Sequence, residues 1–113
     1  MANEDFLKLA NAARSRIAEI DADTALQQQA QGAVVIDVRD GDEVAATPGI
    51  PGSVNISRGR LETKIAEVVA DKDAPVVLYC AAGNRGALAA DSLRQMGYTN
   101  VCNVSGGLGA FKK

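Results

Sequence analysis

The sequence predicts an α/β fold, with a mainly parallel central sheet of about five strands flanked by helices on both faces. Three observations carry this reading. The runs Ala33-Val34-Val35-Ile36-Asp37-Val38 and Val76-Val77-Leu78-Tyr79 are short, almost wholly apolar and free of polar alternation, the pattern of strands buried on both faces of a parallel sheet. Segments of helical periodicity lie between the strand candidates, as crossover connections require. The chain has 113 residues, 47% of them hydrophobic and 23% charged, which suits one compact unit. Residues 1–113 therefore read as a single domain, with residues 1–16 as an N-terminal covering helix.

Taken in order, residues 5–17 set Phe6, Leu9, Ala10, Ala13 and Ile17 on one helical face, with Asn3 or Asp5 available as a cap. Asp21 then precedes an Ala/Leu/Gln segment that reads as a short helix capped by Asp21 and ended by Gly32. The first buried strand follows. The stretch 47–60, TPGIPGSVNISRGR, is the one long loop-like region, interrupted by the brief strand candidate Val54-Asn55-Ile56. Leu61, Ile65, Val68 and Val69 give a helix over 61–70, and the second buried strand ends at Tyr79. Leu88, Leu93 and Met96 give a helix over 86–96 closed by Gly97 at a C′ position, and Val101–Val104 is the last strand.

Composition excludes several functions. Net charge is -2 with a pI near 5.0, so the basic face of a nucleic-acid binder is missing. No stretch is apolar for long enough to span a bilayer and no signal peptide opens the chain, which leads to the expectation of a cytoplasmic protein with no membrane partner. In that reducing setting the two cysteines are expected as free thiols. With two cysteines and no histidine, no zinc cluster can be assembled and no cofactor is expected. A nucleophile in this chain must be activated without imidazole.

Cys80 is the candidate. It directly follows the strand ending at Tyr79 and opens the loop Ala81-Ala82-Gly83-Asn84-Arg85, which feeds a helix beginning near Gly86. Successive N–H groups in such a loop converge on an anion, and the helix dipole adds positive potential there, so both favour a thiolate. Arg85 brings a fork of donors suited to the oxygens of an anionic substrate. Gly83 and Gly86 read as backbone requirements. Asp37 and Arg39, near the end of a buried strand, read as an ion pair supporting the site from beneath. Cys102, mid-strand between Val101 and Val104 with no glycine loop beside it, reads as core packing.

Four ordered motifs carry a family resemblance across about residues 17–113. Cys80-Ala81-Ala82-Gly83-Asn84-Arg85 resembles the active-site loop of rhodanese-like sulfurtransferases. Val35-Ile36-Asp37-Val38-Arg39, followed by the acid-containing turn Asp40-Gly41-Asp42-Glu43, resembles the family's "IDVR" strand. Ile50-Pro51-Gly52-Ser53-Val54-Asn55-Ile56 resembles "IPGAxNI", and Ser105-Gly106-Gly107 with Ala110-Phe111 resembles "GGxxAW". The resemblance implies a transferase in which Cys80 carries a sulfur as a persulfide. Residues Ala81 to Gly86 would bind the donor, a small anion such as thiosulfate, and the acceptor would be cyanide, a thiol or a protein. Two positions depart from the pattern: Gly49 stands where the family usually has histidine, and Ala81 where a basic residue often follows the cysteine.

Two other readings remain open. Cysteine phosphatases and arsenate reductases use a similar loop, but with cysteine and arginine one residue further apart. A non-catalytic binding module is the other, since fold alone does not specify activity. A thioredoxin-type site fails because no second cysteine lies near Cys80.

Overall fold

The computed structural model describes residues 3–112. Its centre is a sheet of five strands, all parallel: β1 (Ala18–Ile20), β2 (Val34–Asp37), β3 (Val54–Asn55), β4 (Val76–Tyr79) and β5 (Val101–Val104), in the spatial order β1-β5-β4-β2-β3. Helix α1 (Glu4–Arg14) precedes β1, and four helices connect the strands: α2 (Ala22–Ala30), α3 (Gly41–Ala46), α4 (Leu61–Val68) and α5 (Asn84–Gln95). Short 3-10 helices cover Arg58–Arg60 and Gly107–Lys112.

Alternation along the central strands divides the core between two faces. Ile36, Val38, Val76, Leu78 and Cys80 pack with Leu61 and Ile65 of α4 and Ala89, Ala90 and Leu93 of α5. Val35, Val77, Tyr79, Cys102 and Val104 pack instead with Ala25 of α2 and Leu108 of the C-terminal turn. Strands sandwiched this way must be apolar on both sides, which is why β4 is buried at all four positions. Helix α1 packs on α5 and buries Ala10 and Ala13.

Local chemistry sets the helix ends. Asn3 Oδ1 accepts the Phe6 N–H at 2.7 Å and Asp21 Oδ1 accepts the Thr24 N–H at 2.8 Å, so both helices begin on a side-chain cap. Gly97, with φ +98°, closes α5.

Four segments differ from the sequence expectations. Helix α1 ends at Arg14, short of the expected residues 16–17, so Ile17 lies beyond it and packs against the core from there. Ala18–Ile20 forms edge strand β1, because pairing of Ala18, Glu19 and Ile20 with Cys102, Asn103 and Val104 overrides a short, half-polar sequence. The acid-containing stretch at 40–43 is the start of helix α3 rather than a turn. Glu43 reaches back to accept the Asp40 N–H at 3.0 Å, the return half of a capping box. Helix α5 starts at Asn84, not near Gly86, so Arg85 and Gly86 lie in its first turn and the loop after Cys80 is shorter than expected.

Candidate active site

Cys80 leaves the carboxyl end of β4, the central strand, where parallel sheets place their ligands. The chain then turns sharply through Ala81 and Ala82 to Gly83, whose φ of +114° no residue with a side chain adopts readily. Gly83 is the N-cap of α5, yet it has no side chain with which to cap. The sulfur of Cys80 does so instead, accepting the N–H of Gly83 at 3.0 Å and that of Gly86 at 3.2 Å. A helix N-terminus with unfilled N–H groups and a positive dipole end thus closes on one sulfur atom, an environment that favours negative charge there. Cys80 is 1% exposed, while Ala81 and Ala82 above it are exposed.

The cradle is braced by contacts from distant parts of the chain. Asn103 of β5, fully buried, donates to the Gly83 carbonyl at 3.0 Å and to Glu19 Oε2 at 2.8 Å. A Cβ on Gly86 would fall on Asn103 Oδ1, so only glycine lets α5 start this close to β5. Gly107, with φ +61°, is similarly constrained, since its Cβ would lie 2.6 Å from the Ala81 carbonyl oxygen. The neighbouring Leu108 N–H donates to the Cys80 carbonyl at 2.7 Å. From α1, Arg14 donates to Asn84 Oδ1 at 2.8 Å and pairs with Glu19 at 3.3 Å.

Arg85 does not stand alone. Its Nη1 and Nη2 grip the two carboxylate oxygens of Glu43 at 2.6 and 2.9 Å. The hydrogen bond from Arg85 and that from the Asp40 N–H hold the Glu43 carboxyl down at about 2. Beneath the site, Arg39 and Asp37 form a pair at 2.7 Å with side chains 3% and 1% exposed. The Asp37 carboxylate also accepts the Arg39 backbone N–H at 3.1 Å, which spreads its charge over several donors.

The position before Ile50 has a physical account. A Cβ on Gly49 would run into the Tyr79 hydroxyl and come within 2.6 Å of Asp37 Oδ2. The buried Tyr79 hydroxyl accepts the Ile50 N–H at 3.0 Å and lies 3.0 Å from Ser53 Oγ. It occupies the space a larger residue at 49 would need. Burial pushes the Tyr79 hydroxyl above its ordinary titration range. An open depression of about 450 Å³ beside the loop is lined by Arg39, Glu43, Ala46, Thr47, Ala81 and Leu108 among others.

The structure therefore brings Cys80, Gly83, Arg85 and Gly86 together at one helix start, with Asp37 and Arg39 behind them. Ala81 and Ala82 form the exposed turn, and Asn84 is tied to Arg14. Cys102 sits apart in the core of the other face, its thiol raised to about 11 by burial. Sequence reasoning missed Glu43, Arg14, Glu19 and Asn103. For Glu43 the Asp40-x-x-Glu43 spacing of a capping box was an available signal; the others are joined only by the fold.

The family model for the rhodanese-like domain matches residues 21–113. The chain belongs to the rhodanese family. The thiosulfate sulfurtransferase GlpE of Pseudomonas entomophila is 36% identical over 93 residues, covering 82% of this chain and 83% of that protein. Among solved structures, the polysulfide-sulfur transferase homodimer of Wolinella succinogenes superposes with a TM-score of 0.77 at 32% identity, covering 95% of this chain and 81% of that one. A Rhodopseudomonas palustris protein of unknown function, described as a possible tyrosine phosphatase, superposes at 0.86 with 32% identity, covering 99% and 92%. The rhodanese match starts after β1, whereas the two superpositions, at 99% and 95% of the chain, extend into the segment before it. Among the described residues, no helix is long and apolar enough to cross a membrane.

Proposed function

We propose that this rhodanese-like domain is a sulfurtransferase that carries sulfane sulfur on Cys80. The observation that supports this best is the Cys80 sulfur seated on the Gly83 and Gly86 N–H groups at the start of α5. In the first half-reaction the thiolate attacks the outer sulfur of thiosulfate or another sulfane-sulfur donor. The new Sγ–S bond forms as the donor's S–S bond breaks, sulfite leaves with the electron pair, and a Cys80 persulfide remains. No proton transfer is required, which suits a chain without histidine. In the second half-reaction cyanide, a small thiol or a protein thiol takes the outer sulfur and returns the thiolate. Two half-reactions sharing a covalent intermediate give ping-pong kinetics. The donor approaches from the depression beside Ala81, with Ala81 to Gly86 as its binding loop. The names of the relatives support the same chemistry, and a reducing cytoplasm would keep both thiols free.

The phosphatase reading has a structural neighbour in its favour, but two features of this chain support sulfur. Cys80 and Arg85 are closer in sequence than in those enzymes, and both terminal nitrogens of Arg85 are engaged by Glu43. The test is thiocyanate formation from thiosulfate and cyanide. Cys80→Ser abolishes it and Cys102→Ser leaves it largely intact; turnover retained in Cys80→Ser would overturn the proposal.

A further inference from the structure

The charge around the cradle is compensated. Three arginines reach it or the depression beside it, and each is bound to a carboxylate: Arg14 to Glu19 at 3.3 Å, Arg39 to Asp37 at 2.7 Å and Arg85 to Glu43 at 2.6 Å. The Arg85 pair is bidentate, and Glu43 is itself fixed at the start of α3 by the Asp40 N–H. Position 81, next to the nucleophile, carries alanine. Attack on thiosulfate brings a thiolate and a dianion together, three negative charges in one small site. Attack on a hydropersulfide in its protonated form, R–S–SH, brings only the thiolate's charge, and even the ionised donor carries one negative charge against the two of thiosulfate. With two N–H donors on the sulfur and the Arg85 guanidinium neutralised by Glu43, the electrostatic penalty falls on the dianion.

We propose that Glu43 is a specificity-determining residue: by holding Arg85 it sets the cradle to take sulfur from hydropersulfides in preference to the thiosulfate dianion. This rests on the sulfurtransferase reading above. The step balances as Cys80–S⁻ + R–S–SH → Cys80–S–SH + R–S⁻; the Sγ–S bond forms, the donor S–S bond breaks, the leaving thiolate takes the pair, and the proton stays on the transferred sulfur. No outside oxidant or reductant enters. Glu43 acts through Arg85 and touches neither sulfur, so its signature is a change in donor preference rather than a general loss of rate.

The experiment compares two donors, thiosulfate and the hydropersulfide of 2-mercaptoethanol, following by quenched mass spectrometry the rate at which Cys80 gains one sulfur atom. Glu43→Gln keeps an oxygen for the Asp40 N–H but releases Arg85. It is expected to raise thiosulfate loading about tenfold at low salt, the size of one charged hydrogen bond gained, while hydropersulfide loading changes less than about twofold. The gain disappears in Glu43→Gln/Arg85→Ala. In wild type, independently of any variant's folding, thiosulfate loading rises with ionic strength because salt screens repulsion; in Glu43→Gln it is flat or falls. Thiosulfate loading unchanged or slower in Glu43→Gln, an equal change with both donors, a gain that survives Arg85→Ala, or wild-type thiosulfate loading that falls with salt would each overturn the assignment. Failure of both donors to load wild-type Cys80 would instead overturn the sulfurtransferase reading itself.

Discussion

Gly86→Ala is the substitution whose outcome the packing around the cradle fixes most tightly. The backbone at 86 is ordinary helix, so alanine meets no torsional strain and its helix preference would return about 1 kcal/mol. Its Cβ, however, would fall on Oδ1 of Asn103, which is fully buried, and lie 3.5 Å from Tyr79 Cα. Either the first turn of α5 shifts or Asn103 gives way. A shift of α5 is overpacking, at about 1–3 kcal/mol. Displacing Asn103 breaks its bonds to the Gly83 carbonyl and to the charged Glu19, the latter alone being worth about 1.5–3 kcal/mol. The net expectation is a loss of about 1–2 kcal/mol, read as a fall in melting temperature of about 5–10 °C for a domain of this size. Thermal unfolding by circular dichroism measures it, and Asn103→Ala supplies the control, since in that background Gly86→Ala should be neutral or stabilising. A melting temperature that rises in the single variant, as for an ordinary glycine-to-alanine change in a helix, would refute the argument.

Two further outcomes concern titration. The Arg16 hydrogen bonds, with help from Arg94, hold the buried Asp91 carboxyl at about 2 against an ordinary 3.8. Its stabilising contribution is therefore complete above pH 4 and lost as pH falls toward 2. Because Arg16 and Arg94 are 45% and 44% exposed, that contribution is at most about 2 kcal/mol. Asp91→Asn should remove this part of the acid limb of stability against pH in denaturant titrations, and an unchanged limb would contradict it. Cys102, raised to about 11 by burial against an ordinary 9.0, contributes stability that is complete below pH 9 and lost as pH rises through 11. Iodoacetamide at pH 9 should leave Cys102 unlabelled in the folded protein and label it after unfolding; peptide mapping that finds it labelled in the native state would show that it is not a core thiol.

The chain announces the features that are contiguous in it. Asn3 and Asp21 stand directly before the helices they cap, and the apolar runs at 33–38 and 76–79 become the two central strands. Cys80 and Gly83 lie three residues apart in one short segment, so the cradle is legible in the sequence. What was not legible depends on partners far away in sequence. Ala18-Glu19-Ile20 is a strand only because β5 lies beside it, and Glu43 joins the site across 42 positions. The start of α5 was misplaced for a related reason. A helix usually declares its N-cap with Ser, Thr, Asp or Asn, whereas here a glycine holds the turn and a cysteine sulfur from the preceding strand end accepts the N–H groups.

The central claim is that Cys80 carries the sulfur, and the most direct test is intact-protein and peptide mass spectrometry after incubation with thiosulfate, followed by addition of cyanide. The expected result is a gain equal to one sulfur atom on the peptide containing Cys80, none on the peptide containing Cys102, and loss of that sulfur to cyanide as thiocyanate. No added sulfur with thiosulfate or a hydropersulfide, or a sulfur found on Cys102 instead, would contradict it.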